Sequence, residues 1–116
     1  MAQTPEGKIK EMVKKVLDEC KLAGYTYYNF PVPSGYGTPM LDVVGCHHGV
    51  FFAVETKAPG KKPTPRQLFC IEEMHAAGGA VFVIDGPGSL EKLEEWLDTI
   101  TNSTSQQGTP STGDTR

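Results

Sequence analysis

The stretch GVFFAVETK, residues 49 to 57, reads as a β-strand of Val, Phe and Ala that carries two opposite charges, Glu55 and Lys57, near its end. A strand of that content is built for burial, so its neighbours must cover it. Two charges at its exit are costly to bury unless something compensates them. The rest of the chain is read around that requirement.

Upstream, residues 5 to 23 predict a helix: Thr4 is placed as N-cap, Pro5 takes the first helical position and Gly24 closes the segment. Ile9, Met12, Val13, Val16, Leu17 and Cys20 recur in threes and fours, which gives one buried stripe. Glu6 projects within that stripe, whereas Glu11, Asp18 and Glu19 point away from it. Strands are expected at 25 to 30 (YTYYNF), 40 to 45 (MLDVVG) and 49 to 57, with the Pro- and Gly-rich segment PVPSGYGTP as a loop between the first two. The tyrosines and Phe30 of the first strand are assigned to the sheet core. CHHG is short enough to close a hairpin, and placing residue 45 opposite residue 50 puts Asp42 opposite Ala53, on the face shared by Glu55 and Lys57.

A second helix opens at Pro65, with Thr64 as N-cap, Gln67 in the capping-box position and an inner face of Leu68, Ile71 and Met74 or His75. AVFVI at 80 to 84 reads as a fully buried strand. SLEKLEEWLDTI then gives a third helix capped by Ser89, and residues 101 to 116 hold no apolar residue and are read as a disordered polar tail. The expected domain is therefore residues 1 to 100, an α/β fold in the order αβββαβα with helices packed on a mixed sheet. At 116 residues, such a chain buries enough surface to fold without staples.

Charge and cysteine content narrow the classes. The net charge of -3 argues against a bulk nucleic-acid binder, yet residues 1 to 66 carry nine Lys and Arg against six acids, while residues 67 to 116 carry two against eight. Lys61, Lys62 and Arg66 form a compact basic group beside the opening strand, suited to meet phosphates. Cys20, Cys46 and Cys70 are widely spaced and are read as reduced thiols. With neither a long apolar run nor the apolar core of a secretory signal, a cytoplasmic protein with no membrane partner is expected. Cys46, His47 and His48 have the residue types of a zinc cluster, but three adjacent residues cannot all point one way from a hairpin tip.

Glu55 and Lys57 lie two residues apart on one strand face, with Cα atoms about 6 to 7 Å apart, and Asp42 joins them by the register above. A hard divalent cation offsets such a carboxylate pair, because Mg²⁺ takes a few carboxylate oxygens and keeps positions for water and phosphate. Each side chain then has a task in phosphodiester hydrolysis. Asp42 and Glu55 hold the metal, Lys57 orients water or stabilises phosphate charge, Glu6 adds a further carboxylate and Gln67 bonds water or a phosphate oxygen. The alternatives are a solvated edge ion pair for Glu55 and Lys57, a turn residue for Asp42 and a helix cap for Gln67.

The order GTPMLDVVGCHHGVFFAVETKAPGKKPTPRQ, preceded by PEGKIKEMVKKVL and followed by GGAVFVID, resembles the VRR-NUC branch of the PD-(D/E)XK nucleases in its compact stand-alone form, as in phages and bacteria. The resemblance implies a restriction-endonuclease-like fold and an Mg²⁺-dependent endonuclease in which Mn²⁺ substitutes. It assigns metal binding to Asp42, Glu55 and Glu6, and catalysis to these with Lys57 and Gln67. One departure is visible: PMLD places Met40 and Leu41 between Pro39 and Asp42, where the family often has Asp directly after Pro. Compact members look like homodimeric Holliday junction resolvases, which implies a four-way DNA junction as substrate, whereas fused members act on flaps. A flap or general nuclease, and a non-catalytic junction-binding module, are the alternatives.

Overall fold

The computed structural model describes residues 4 to 32 and 41 to 106. Helix α1 (Pro5–Leu22) begins as its sequence dictates: the Thr4 side chain accepts from the Gly7 N–H at 2.9 Å and Pro5 fills the first turn. Its stripe buries Ile9, Val13 and Leu17. Strands β1 (Thr26–Asn29), β2 (Val43–His47) and β3 (Val50–Thr56) form an antiparallel meander. Helix α2 (Pro65–Ala76) crosses over to β4 (Ala80–Ile84), which pairs parallel to β3, and α3 (Pro87–Gln106) ends the described chain. The sheet order is β1-β2-β3-β4, and the expected element order and mixed sheet are both found.

Two layers cover the sheet. On one face, Ile9, Val13 and Leu17 of α1 and Leu93 and Leu97 of α3 pack with Tyr28, Val43, Phe52, Val54 and Ile84. On the other, Cys70 and Ile71 of α2 pack on Leu41 and Ala53. Because β3 is central, its residues from Phe52 to Thr56 are buried on both faces. The charged end of that strand is therefore held between the layers.

Several expectations shift. The hairpin loop is His48–Gly49, both at positive φ (49° and 83°), as a tight two-residue turn between twisted strands demands. Gly45 consequently faces Phe52 instead of residue 50. The slip is two residues, so every side chain keeps its face.

Strand β1 is an edge strand, and of the aromatics in and beside it only Tyr28 is buried; Tyr27 within it and Tyr25 and Phe30 on either side are exposed. Strand β4 is likewise an edge, half-buried except at Ile84. In α2 the buried pair is Cys70 and Ile71, and Leu68 is exposed, since α2 meets the sheet one position round from the stripe expected. Helix α3 starts at Pro87, ahead of Ser89, whose hydroxyl instead receives the Asp85 N–H at 3.0 Å. That helix also runs six residues beyond Ile100, into the segment read as a tail, and Thr101 is anchored there by contacts to His47 and Leu97. Residues 33 to 39 of the expected loop, Met40 of the expected second strand and the tail from residue 107 lie outside the described residues, and β2 itself begins at Val43.

Candidate active site

The chemistry gathers where β3 ends. Val43 pairs with Val54, so Asp42, one step ahead of β2, stands across from Glu55. Glu55 is 2 % exposed. Its Oε2 accepts from Gln67 Nε2 at 2.8 Å and lies 3.5 Å from Lys57 Nζ. Its Oε1 is buried with no hydrogen-bond partner among the described residues. Burial pushes the Glu55 carboxyl above its usual range and the charge of Asp42 adds to this, while Lys57 pulls it back in part.

Asp42 is held differently. Its Oδ2 accepts from both the backbone N–H (2.9 Å) and the hydroxyl (2.7 Å) of Thr56, while its Oδ1 lies 3.9 Å from Lys10 Nζ. Backbone supports this end of the sheet too: the Lys57 N–H donates to Ile84 O at 2.9 Å, which ties the lysine to β4.

Gln67 fills both of the roles considered for it. As the third residue of α2 it closes a capping box, accepting from the Thr64 N–H at 2.9 Å through Oε1 and donating its own N–H to Thr64 Oγ1. The other end of the same amide reaches Glu55. A cap and a carboxylate clamp share one side chain.

Glu6 is half-buried in the first turn of α1, and no described contact joins it to Asp42 or Glu55. No group of three His, Cys, Asp or Glu side chains able to hold a metal is present among the described residues. Asp42 and Glu55 are the two carboxylates that stand across from each other at the strand ends. Even so, the pair suits a hard cation, because a buried carboxylate oxygen without a hydrogen-bond donor is the atom a cation satisfies, and Mg²⁺ is often held by one or two carboxylates with water completing its shell.

Lys61, Lys62 and Arg66 are exposed on the loop and first turn that follow β3, beside the charged strand end. Gly60, at φ 83°, turns that loop and Lys61 N–H closes it on Ala58 O. The three residues at the hairpin tip part company. His47 is buried against Thr26, Leu97 and Thr101, His48 stacks on Tyr25, and Cys46 is exposed.

Two contributors went unnoticed in the sequence. Lys10 sits one helical turn beyond Glu6 and so on the same side of α1, a signal that spacing alone carried. Thr56 stands between Glu55 and Lys57 and points to the opposite face of the strand, where a polar residue with no exposure needs a partner; Asp42 is that partner.

No family model matches the chain. Over 72 residues it is 38% identical to the "Putative nuclease p44" of Acyrthosiphon pisum secondary endosymbiont phage 1, a match that covers 62% of this chain and 76% of the phage protein. A solved structure described as "VRR_NUC domain" superposes with a TM-score of 0.67 at 25% identity, covering 80% of this chain and 97% of that one. The chain belongs to the VRR-NUC nuclease family.

Proposed function

We propose that this chain is an Mg²⁺-dependent, structure-selective DNA endonuclease that hydrolyses phosphodiester bonds and resolves four-way junctions as a homodimer. The observation that carries the reading is the buried, unpartnered Oε1 of Glu55 beside Asp42 and Lys57. Asp42 and Glu55 would hold the cation, whose chemistry there is polarisation of the phosphate and acidification of water.

The protein's own groups divide the remaining work. Hydrolysis forms one P–O bond from water and breaks the bond to one ester oxygen, with a water proton released and the leaving oxygen protonated. Lys57, whose side chain is largely buried, brings a fixed positive charge to where negative charge grows on the phosphate. Gln67 fixes the rotamer of Glu55 through Oε2 and so leaves Oε1 committed to the site. Lys61, Lys62 and Arg66 are suited to grip backbone phosphates, contacts that position a duplex without reading its sequence.

A homodimer suits the substrate because an isologous pair places two identical sites at a fixed separation on a twofold-symmetric junction. Exposed Tyr27 on the edge strand β1 and Tyr25 just ahead of it are available for such a face, as is the partly exposed side of Trp96 on α3, whose ring packs against Phe52 and Phe82.

The test is cleavage of a labelled four-way junction, a flap and a linear duplex by the wild type and Lys57→Ala, in Mg²⁺ and in EDTA. Paired symmetric nicks in the junction that need both Mg²⁺ and Lys57 are expected. Preferential cutting of the flap would replace the junction with that substrate. Junction binding that Mg²⁺ leaves uncut would make the chain a binding module and overturn the catalytic reading.

A further inference from the structure

Asp42 uses its two oxygens unequally. Oδ2 receives two donors from one residue, the Thr56 amide and hydroxyl, and Thr56 is wholly buried. Oδ1 receives none of these and faces the ammonium group of Lys10, at 3.9 Å an ion-pair contact too long for a hydrogen bond. A carboxylate held through one oxygen by two hydrogen bonds of good length cannot swing without breaking both. Its other oxygen is thereby presented in one direction.

The position of Thr56 explains why it can do this. Strand alternation sends Glu55 and Lys57 to one face of β3 and Thr56 to the other. Asp42 stands just ahead of β2, where its carboxylate takes up the Thr56 N–H at the strand edge as a ladder carbonyl would. The residue between the two charged ones therefore anchors the third. Lys10, with a side chain 41 % exposed, is meanwhile a loosely held counter-ion free to exchange.

We infer that Thr56 is a positioning residue that dedicates Asp42 Oδ1 to a divalent cation, and that Lys10 is the counter-ion which that cation displaces. The inference rests on the proposed cation site and adds to it the residue that sets its geometry and the group that competes for it. Displacement of Lys10 leaves its ammonium group at the rim of the site, where a DNA phosphate would arrive.

The test is calorimetric titration of Mn²⁺ into the full chain without DNA, for the wild type, Thr56→Val, Thr56→Ser, Lys10→Met and Asp42→Asn, with thermal unfolding of each recorded alongside. Thr56→Val removes the hydroxyl and keeps the shape, and its Mn²⁺ affinity is expected to fall by about 10- to 100-fold, as for loss of a group that orients a ligand. Thr56→Ser restores the donor and binds as the wild type does. Lys10→Met, an exposed change on α1 that leaves the buried core intact, binds Mn²⁺ about two- to fivefold more tightly, the scale of a partly exposed ion pair.

A Thr56→Val chain that unfolds at lower temperature but binds Mn²⁺ as the wild type does, while Asp42→Asn binds weakly, would show that the threonine only packs. Lys10→Met with unchanged affinity would overturn the assignment of Oδ1. Mn²⁺ binding that is absent from the wild type, or untouched by Asp42→Asn, would sink the cation site itself.

Discussion

Gln67 Nε2 donates to Glu55 Oε2 at 2.8 Å while its Oε1 accepts from the Thr64 backbone N–H, so one amide joins the N-terminus of α2 to the buried carboxylate of β3. Removing the amide should strike both. Gln67→Ala is expected to lower stability by about 1 to 2 kcal/mol, the cost of losing half a capping box and a donor to a buried carboxylate. Gln67→Glu keeps an acceptor for Thr64 but sets a second carboxylate against Glu55, so it should retain more of the cap and yet move the acidic limb of cleavage to higher pH. Denaturant unfolding and a pH–rate profile of the two variants check this; equal profiles would show that Gln67 serves the helix alone.

Glu55 itself should cost the empty protein stability. Burial holds its folded carboxyl above the ordinary value of 4.5, so as pH rises past that value the unfolded chain ionises first and gains relative to the folded one. The penalty is absent below the ordinary value and complete above the folded one. Glu55→Gln is therefore expected to be more stable than the wild type at pH 7 without divalent cation, by about 0.5 to 2 kcal/mol, as for many relieved active sites. The difference should vanish by mildly acidic pH. Added Mg²⁺ should stabilise the wild type and leave the variant unmoved, since only a site in the folded chain gains from binding. A variant less stable than the wild type at pH 7 would refute the account.

The middle of β2 offers a purely structural test. A Cβ on Gly45 would fall on the backbone oxygen of Tyr27 and come within 2.7 Å of the Phe52 ring. Neither neighbour can give way, because Tyr27 O belongs to the adjacent strand and Phe52 is fully buried. Gly45→Ala should lose upwards of about 2 kcal/mol, the range of an overpacked core, measurable as a fall in Tm. A Tm equal to the wild type would mean that the edge strand shifts freely.

The buried ring of His47 makes a contrasting pH test. Its Nδ1 lies 2.6 Å from Thr26 Oγ1 and its Nε2 3.0 Å from both Leu97 O and Thr101 Oγ1, which ties the hairpin tip to the last turns of α3. A carbonyl beside Nε2 accepts the ring N–H, and the threonine hydroxyl can donate to an unprotonated Nδ1. Burial is the main cause that holds the imidazole below its ordinary 6.5. With the folded value depressed, stability is full above 6.5 and falls as pH drops toward the folded value, at no more than about 1.4 kcal/mol per pH unit for one group. His47→Gln should be less stable at neutral pH and should lack this acid slope. Denaturant midpoints between pH 7.5 and 5 will show it; parallel curves would assign the slope to other groups.

How much of this was readable in advance follows from the kind of signal each feature leaves. Apolar patterning, periodic in the helices and continuous in AVFVI, marked each of the seven described elements, and the shared face of Asp42, Glu55 and Lys57 survived a wrong register because the hairpin slipped by two residues and not by one. Turn chemistry was harder: His48 at positive φ leaves little trace beside the glycine that follows. Burial at the sheet edges was misjudged because Tyr27 and Val83 look alike to a hydropathy count, yet their strands lack a neighbour on one side. The end of α3 was missed for another reason, since Thr101 is held by His47, over fifty residues away in the chain. Lys10 and Thr56 needed three dimensions, because what marks them is the second oxygen of a carboxylate on another element.

The basic loop supplies the prediction most directly tied to nucleic acid. Lys61, Lys62 and Arg66 are exposed and precede or open α2 beside the charged end of β3, so each can release one condensed counterion on meeting a phosphate. Binding of a four-way junction, measured in EDTA to prevent cleavage, should weaken with salt. Replacing any one of the three with Ala should flatten the log–log salt slope by about 0.9 for each duplex phosphate that is no longer neutralised. Because phosphates carry no base identity, the weakening should be the same across junctions of different sequence. A variant that keeps the wild-type slope would place the DNA track away from this loop, and one that changes sequence preference would mean that the loop reads bases.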